Sequence, residues 1–239
     1  MRDVLRKTIM TTKSLALLAF ATLALYFHVQ NCFSQDKEKP NDTTVRYKAL
    51  IEELVSPNSK PETHINGKPH RVRFPAGYDV KSQERVDDAR RALDRSIAEA
   101  LPYLTDALDD KRYSMTINWG DGDGYYNKTV GDICREIIAA NIEVYRKEIT
   151  FLGPQHWHQY TFPNVSKEWL SKNSDRTLIE LQLDAIDWAI EQRGKENSRY
   201  AREDRAQEPK RLQEMRNKLK ESTEPLPGSG LLPMQTKNR

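Results

Sequence analysis

The sequence predicts a mainly α-helical fold, a compact helical domain interrupted by one long irregular segment, and three observations predict it. Apolar residues recur at intervals of three and four in four stretches of residues 43–193, namely 47–55, 86–104, 130–145 and 178–190. Two capping-box patterns, Thr129 with Asp132 and Thr177 with Glu180, stand just before the two strongest apolar runs. Pro57, Pro61, Gly67, Pro69, Pro75 and Gly77 crowd residues 57–81 too densely for a helix. With 239 residues the chain is long enough for a core of its own, since about 150 residues already bury roughly 70% of their unfolded surface.

The first helix follows from Tyr47, Leu50, Ile51, Leu54 and Val55 on one face, and Ser56-Pro57 ends it. The irregular segment comes next, with a short strand expected at "HRVRF". From Ser82 the residues Val86, Ala89, Leu93, Ile97 and Ala100 repeat at helical spacing. That helix is expected to end near Ala100, and Pro102 to open a short one over "PYLTDAL", because proline fits a first turn and not an interior.

Thr129 then starts a helix whose apolar face carries Val130, Cys134, Ile137, Ile138, Asn141, Ile142 and Tyr145. "FLGPQHWHQYTFPNV" is a proline-punctuated connection, followed by a short turn at 168–171. The run "TLIELQLDAIDWAIEQRG" predicts the strongest helix, stopping at Gly194. Because its apolar residues cover all but one narrow stripe, it is expected at the centre of the domain. Residues 194–221 predict an exposed charged helix after Pro209, and 222–239 a disordered tail.

Residues 1–34 read as an export signal: Arg2, Arg6, Lys7 and Lys13 precede the apolar run Leu15 to Phe27, and Cys32 and Ser34 are the small residues before a cut ahead of Gln35. The alternative is an N-terminal membrane anchor through residues 15–29, although this apolar run is shorter than the roughly 20 residues a spanning helix needs. Residues 35–42 follow as a polar spacer. Lipidation at Cys32 is disfavoured, because "VQNC" lacks a small residue before the cysteine. Of the 38 cationic and 35 anionic residues the first 34 hold four and one, leaving 34 of each. A mature chain of balanced charge offers no electrostatic footprint for nucleic acid. It also keeps Cys134 as its sole cysteine, so no internal disulfide is expected. Sequons stand at Asn41, Asn127 and Asn164.

At "LVSPN" (54–58), "ERVDDARRAL" (84–93), "LTDALDDKRYS" (104–114), "YYNKTVGDIC" (125–134) and "LIELQLDAIDWAI" (178–190) the chain resembles uncharacterised exported proteins of planctomycete-type bacteria. The resemblance spans about residues 45–193 and implies a cell-envelope setting, but no catalytic residue. "EALPYLTDALDD" is similar to the proline-containing helix of a HEAT-type repeat. With no second copy at a period of about 40, a HEAT-like helix pair within a compact domain is the expectation, rather than an array.

Three stretches carry candidate sites. "DGDGYYNKTVGD" would place Asp121, Asp123 and Asp132 at the first, third and twelfth positions of a calcium loop, yet Tyr125 and Tyr126 occupy its fifth and sixth, where a ligand and a glycine are needed. It reads better as a glycine turn that starts a helix. Trp119, Tyr125 and Tyr126 around that turn are the candidate ligand-binding residues, flat rings able to stack on a sugar or peptide. His156 and His158 in "HWHQY" could begin a zinc site only with further ligands, such as His64 or His70. Glu180, Asp184, Asp187 and Glu191 line one helix face without a cation among them, so partners are expected elsewhere, with Arg91 and Arg95 as candidates.

No catalytic motif of the common hydrolases, nucleotide-binding or zinc enzymes is present, and Cys134 on an apolar face reads as core. The sequence thus points to a non-catalytic binding or scaffolding protein of the bacterial cell envelope, its partner an envelope protein or glycan. No cofactor, metal or catalytic residue is expected. The alternative is an envelope hydrolase using paired carboxylates from the "DGDG" turn or the acidic stripe. Nothing in the sequence fixes an oligomeric state.

Overall fold

A computed structural model of the chain describes residues 42–68, 71–118, 124–145, 165–195 and 208–228. Two compact units divide the chain after Val45, and the architecture below is that of the second. It is mainly helical, as the periodicity predicts.

Helix α1 (Asp42–Glu53) buries Tyr47 and Ile51, and the chain turns at Leu54, also fully buried. The irregular segment contains a small antiparallel ribbon of β1 (Glu62–Thr63) and β2 (Val72–Arg73). Its strand at 72–73 falls inside the expected "HRVRF". Helix α2 (Val80–Arg95) is capped by Asp79, whose carboxylate accepts from the Lys81 N–H.

The break after α2 lies at Ser96, not near Ala100, and α3 (Ile97–Asp106) contains Pro102 in its interior. Proline cannot donate to the carbonyl four residues back and its ring crowds that carbonyl, so the disruption falls upstream of it. The chain breaks at Ser96. The Ser96 hydroxyl donates to the Ala92 carbonyl at 2.7 Å, while the Ser96 carbonyl accepts from the N–H groups of Glu99 and Ala100.

An antiparallel pair, β3 (Tyr113–Asn118) with β4 (Tyr125–Thr129), was not expected from the pattern. Tyr113 pairs with Thr129, but Met115 pairs with Lys128, so Ser114 is an extra residue in β3. Ser114 and Met115 are consequently both buried, and the two-residue alternation that marks a strand is lost.

Helix α4 (Val130–Ile142) starts at the expected capping box: the Thr129 hydroxyl accepts from the Asp132 N–H, and the Asp132 carboxylate from the Thr129 N–H and hydroxyl. It is the hub of the core, packing on α2, α3, both strands of the second ribbon and the helix over Leu178–Lys195. Val130, Ile133, Cys134, Ile137, Ile138 and Ile142 have no exposed surface. Helix α5 (Lys167–Lys172) follows.

Helix α6 (Leu178–Lys195) opens with the second capping box, Thr177 with Glu180, and runs one residue past Gly194. Its broad apolar surface has two neighbours. Leu181, Ala185 and Ala189 face the main core, while Ile186 packs with Val144 of the α4 exit and Leu219 of α7 (Glu208–Glu221). The centre of the domain is therefore α4, and α6 is the layer between α4 and α7. Because Leu212 and Leu219 are fully buried, each contributing about 2 kcal/mol of apolar burial, α7 is docked rather than free-standing.

Two expectations are corrected. Residues 222–228 are not a loose tail, since Leu226 packs on the α6–α7 cluster and pairs with Gln182. Membrane anchoring through residues 15–29 is also withdrawn: among the described residues no helix is long and apolar enough to cross a membrane. Residues 15–29 themselves lie outside those described, as does all of the tail beyond Gly228.

Candidate functional site

Successive strand residues point to opposite faces, so Tyr125 and Tyr126 cannot share one surface. Tyr126, opposite Ile117, is 38% exposed. Tyr125, opposite Asn118, is half-buried on the other side. Trp119, Asp121 and Asp123 lie outside the described residues.

What Tyr126 meets is His64, edge to face, with ring centroids 5.2 Å apart and planes at 69°. His64 has a left-handed backbone, φ 59° and ψ 37°, and its Nδ1 lies 3.2 Å from the Thr63 hydroxyl. A non-glycine residue in that region costs on the order of 1–3 kcal/mol and persists where its surroundings demand it. The demand here is topological. The Asn127 amide donates to the Pro61 carbonyl at 2.9 Å on one face of β4, whereas His64 contacts Tyr126 on the other, so the segment wraps the strand's edge.

The opposite face holds a chain of polar contacts. Thr116 donates to Asn127 Oδ1 at 2.6 Å, the Tyr113 hydroxyl lies 2.8 Å from the Thr116 hydroxyl, and the Tyr78 hydroxyl lies 3.4 Å from that of Tyr113. Tyr78 donates to Gln83 Oε1, which also accepts from Ser56. The bulge at Ser114 makes this chain, because without an extra residue Tyr113 and Thr116 would project to opposite faces. Burial, and then the contact with Tyr113, push the Tyr78 phenol well above its usual range. At the end of this chain Phe74 stands edge-on to Tyr78 at 4.8 Å and is 47% exposed.

The other candidates resolve into structural roles. Asp132 belongs to the capping box. Of the acidic stripe, Glu180 caps its own helix, Asp184 receives both Arg176 guanidinium nitrogens at 2.5 and 3.0 Å, and Asp187 pairs with Arg216 of α7. Arg91, expected to serve the stripe, instead pairs with Asp87 and Asp88 on its own helix. His70, His156 and His158 lie outside the described residues. Among the described residues no group of three His, Cys, Asp or Glu side chains could hold a metal ion.

A general acid needs a carboxyl whose pKa is raised toward neutrality. The side-chain hydrogen bonds to Arg112 hold Glu52 and Asp110 below the usual range, and Lys167 does the same for Asp109. Cys134 is buried; burial first, then Asp110, pushes its thiol up to about 12, which suppresses the nucleophilic thiolate.

Sequence reasoning missed Phe74 and Tyr78, and it weighed His64 only as a further zinc ligand, not as the partner of Tyr126. Gly67, three residues on from His64, has φ 71° and closes the tight turn that follows the histidine. No family model matches the chain, and no curated protein or solved structure matches it either.

Proposed function

We propose that the protein is an exported, non-catalytic binding module of a bacterial cell envelope, and that the exposed face of Tyr126, braced by His64, is where it engages a cell-wall glycan. The single observation that carries this reading is the Tyr126–His64 pair. A flat ring over one third exposed is held at fixed orientation by a residue in an unfavourable backbone conformation, the kind of local cost that concentrates at binding sites. An aromatic face of this kind stacks on the apolar face of a pyranose. The export setting rests on the signal-like first 34 residues, cleaved before Gln35, and on the resemblance to exported planctomycete-type proteins.

The carboxylates favour binding over hydrolysis. Asp184 and Asp187 are engaged by arginines and Glu180 by the start of its own helix, so these three carboxylates of the stripe serve structure. The test is co-sedimentation of the mature protein with purified peptidoglycan sacculi. Wild type pellets with the sacculi and Tyr126→Ala stays in the supernatant with an unchanged circular dichroism spectrum. Equal pelleting of both proteins, or of neither, would overturn the proposal.

A further inference from the structure

Gln182 has no exposed surface, and both its amide nitrogen and its amide oxygen are hydrogen-bonded. Its Nε2 donates to the Asn141 carbonyl at 2.8 Å and to the Leu226 carbonyl at 2.9 Å, and its Oε1 accepts from the Leu226 N–H at 2.9 Å. One side chain therefore pairs with both backbone groups of a single residue, as a neighbouring strand would. Leu226 is flanked by Pro225 and Pro227, which have no N–H. Within 225–227 its N–H is the sole backbone donor, and Gln182 meets it.

Three further features select the same segment. The Leu226 side chain packs on a floor of Val144, Ile186 and Leu219. Gly228 approaches so closely that a Cβ there would sit 2.6 Å from Asn141 Oδ1 and 3.0 Å from the Ala140 carbonyl, so only glycine fits. Asn141 cannot easily yield, since its amide donates to Asp94 at 2.7 Å and to the Ile137 carbonyl at 2.9 Å. Upstream, the Ser222 hydroxyl accepts from the Glu224 N–H and donates to the Glu224 carbonyl, a side-chain turn that folds the chain back after α7.

We infer that Gln182, Asn141, Val144, Ile186 and Leu219 form a peptide-recognition seat for an extended proline-leucine-proline-glycine segment. It is filled in cis by residues 225–228 and open to the same segment of a second copy when its own is displaced. Prolines on either side stiffen the segment before it binds, which lowers the cost of ordering it. The motif is present on every copy of the chain, so a second copy is the partner whose chemistry matches. This inference is independent of the glycan reading.

The test uses the full chain and a fluorescein-labelled peptide, STEPLPGSG, copying residues 222–230. A tethered segment has an effective concentration on the order of millimolar, so wild type resists the peptide. The Leu226→Asp chain, whose own segment no longer fills the seat, is expected to bind it saturably and at least about tenfold more tightly than wild type. Adding Gln182→Leu, or using a peptide with valine for the glycine, abolishes that binding. Non-saturable binding, or equal affinity for wild type and Leu226→Asp, overturns the inference. Should Leu226→Asp fail to fold, hydrogen exchange of the wild-type Leu226 amide decides. Millimolar peptide accelerates that exchange if the seat is exchangeable, and an unchanged rate overturns the inference.

Discussion

His64 and Tyr126 are 62 positions apart in the chain and meet edge to face at 5.2 Å, at the only non-glycine residue with a positive φ among those described. The contact joins the irregular segment to the second ribbon.

It follows that His64→Gly should raise stability while lowering binding. Relief of a left-handed conformation is worth roughly 1–2 kcal/mol, against about 0.5–1 kcal/mol for the extra chain entropy of glycine. A net gain of about 0.5–1 kcal/mol in urea unfolding is expected, together with weaker pelleting on sacculi. A loss of stability would show that the histidine ring, and not its backbone, dominates there.

The capping box sets an acid limit. Burial pushes the Asp132 carboxyl up, but the hydrogen bonds from Thr129 and the charges of Lys128 and Arg135 bring it below its ordinary value overall. Because the folded carboxyl titrates below the unfolded one, its contribution is present above about pH 4 and fades as the pH falls through the lower folded value. Asp132→Asn should therefore destabilise at pH 7 by about 1 kcal/mol, and the gap to wild type should close in melts taken progressively below pH 4.

Gly131→Ala tests propensity against packing. Alanine is favoured over glycine within a helix by about 1 kcal/mol. A Cβ at Gly131, however, would lie inside contact distance of the Leu108 carbonyl oxygen and 2.9 Å from its carbon. Overpacking of this kind costs about 1–3 kcal/mol, so calorimetry should show a lower melting temperature despite the better helix former.

Cys134 should be silent toward thiol reagents in the native state and react only after denaturation, given its buried thiol pushed up to about 12. Rapid labelling by a disulfide reagent at pH 8 would contradict its placement in the core.

Much of the helical fold was legible because helix signals are local. The capping boxes at Thr129 and Thr177, and the apolar faces of α1 and α4, could be read from neighbours three and four positions apart. The break at Ser96 was misplaced because Pro102 was read as a first-turn residue, whereas it lies inside the helix. The β3–β4 pair was hidden by one extra residue, Ser114, which buries two consecutive positions. The docked segment at Leu226 could not be seen from composition, since its partner Gln182 is 44 residues away.

The candidate site was legible only in part. Tyr126 was singled out, but its partner His64 depends on a chain path around the edge of β4, which no local pattern records. The acidic stripe was right in needing cations and wrong in naming Arg91, because Asp87 and Asp88 lie one turn away on the same helix and claim it first.

The measurement that bears most directly on the binding reading is a two-dimensional NMR titration of the mature protein with soluble disaccharide-peptide fragments of the cell wall. Saturable shifts centred on the amides of Tyr126, Lys128 and the His64 turn, and absent in Tyr126→Ala, are the predicted result. Saturable shifts centred elsewhere, or no shifts at millimolar fragment, would contradict the assignment of the Tyr126 face as the glycan-binding surface.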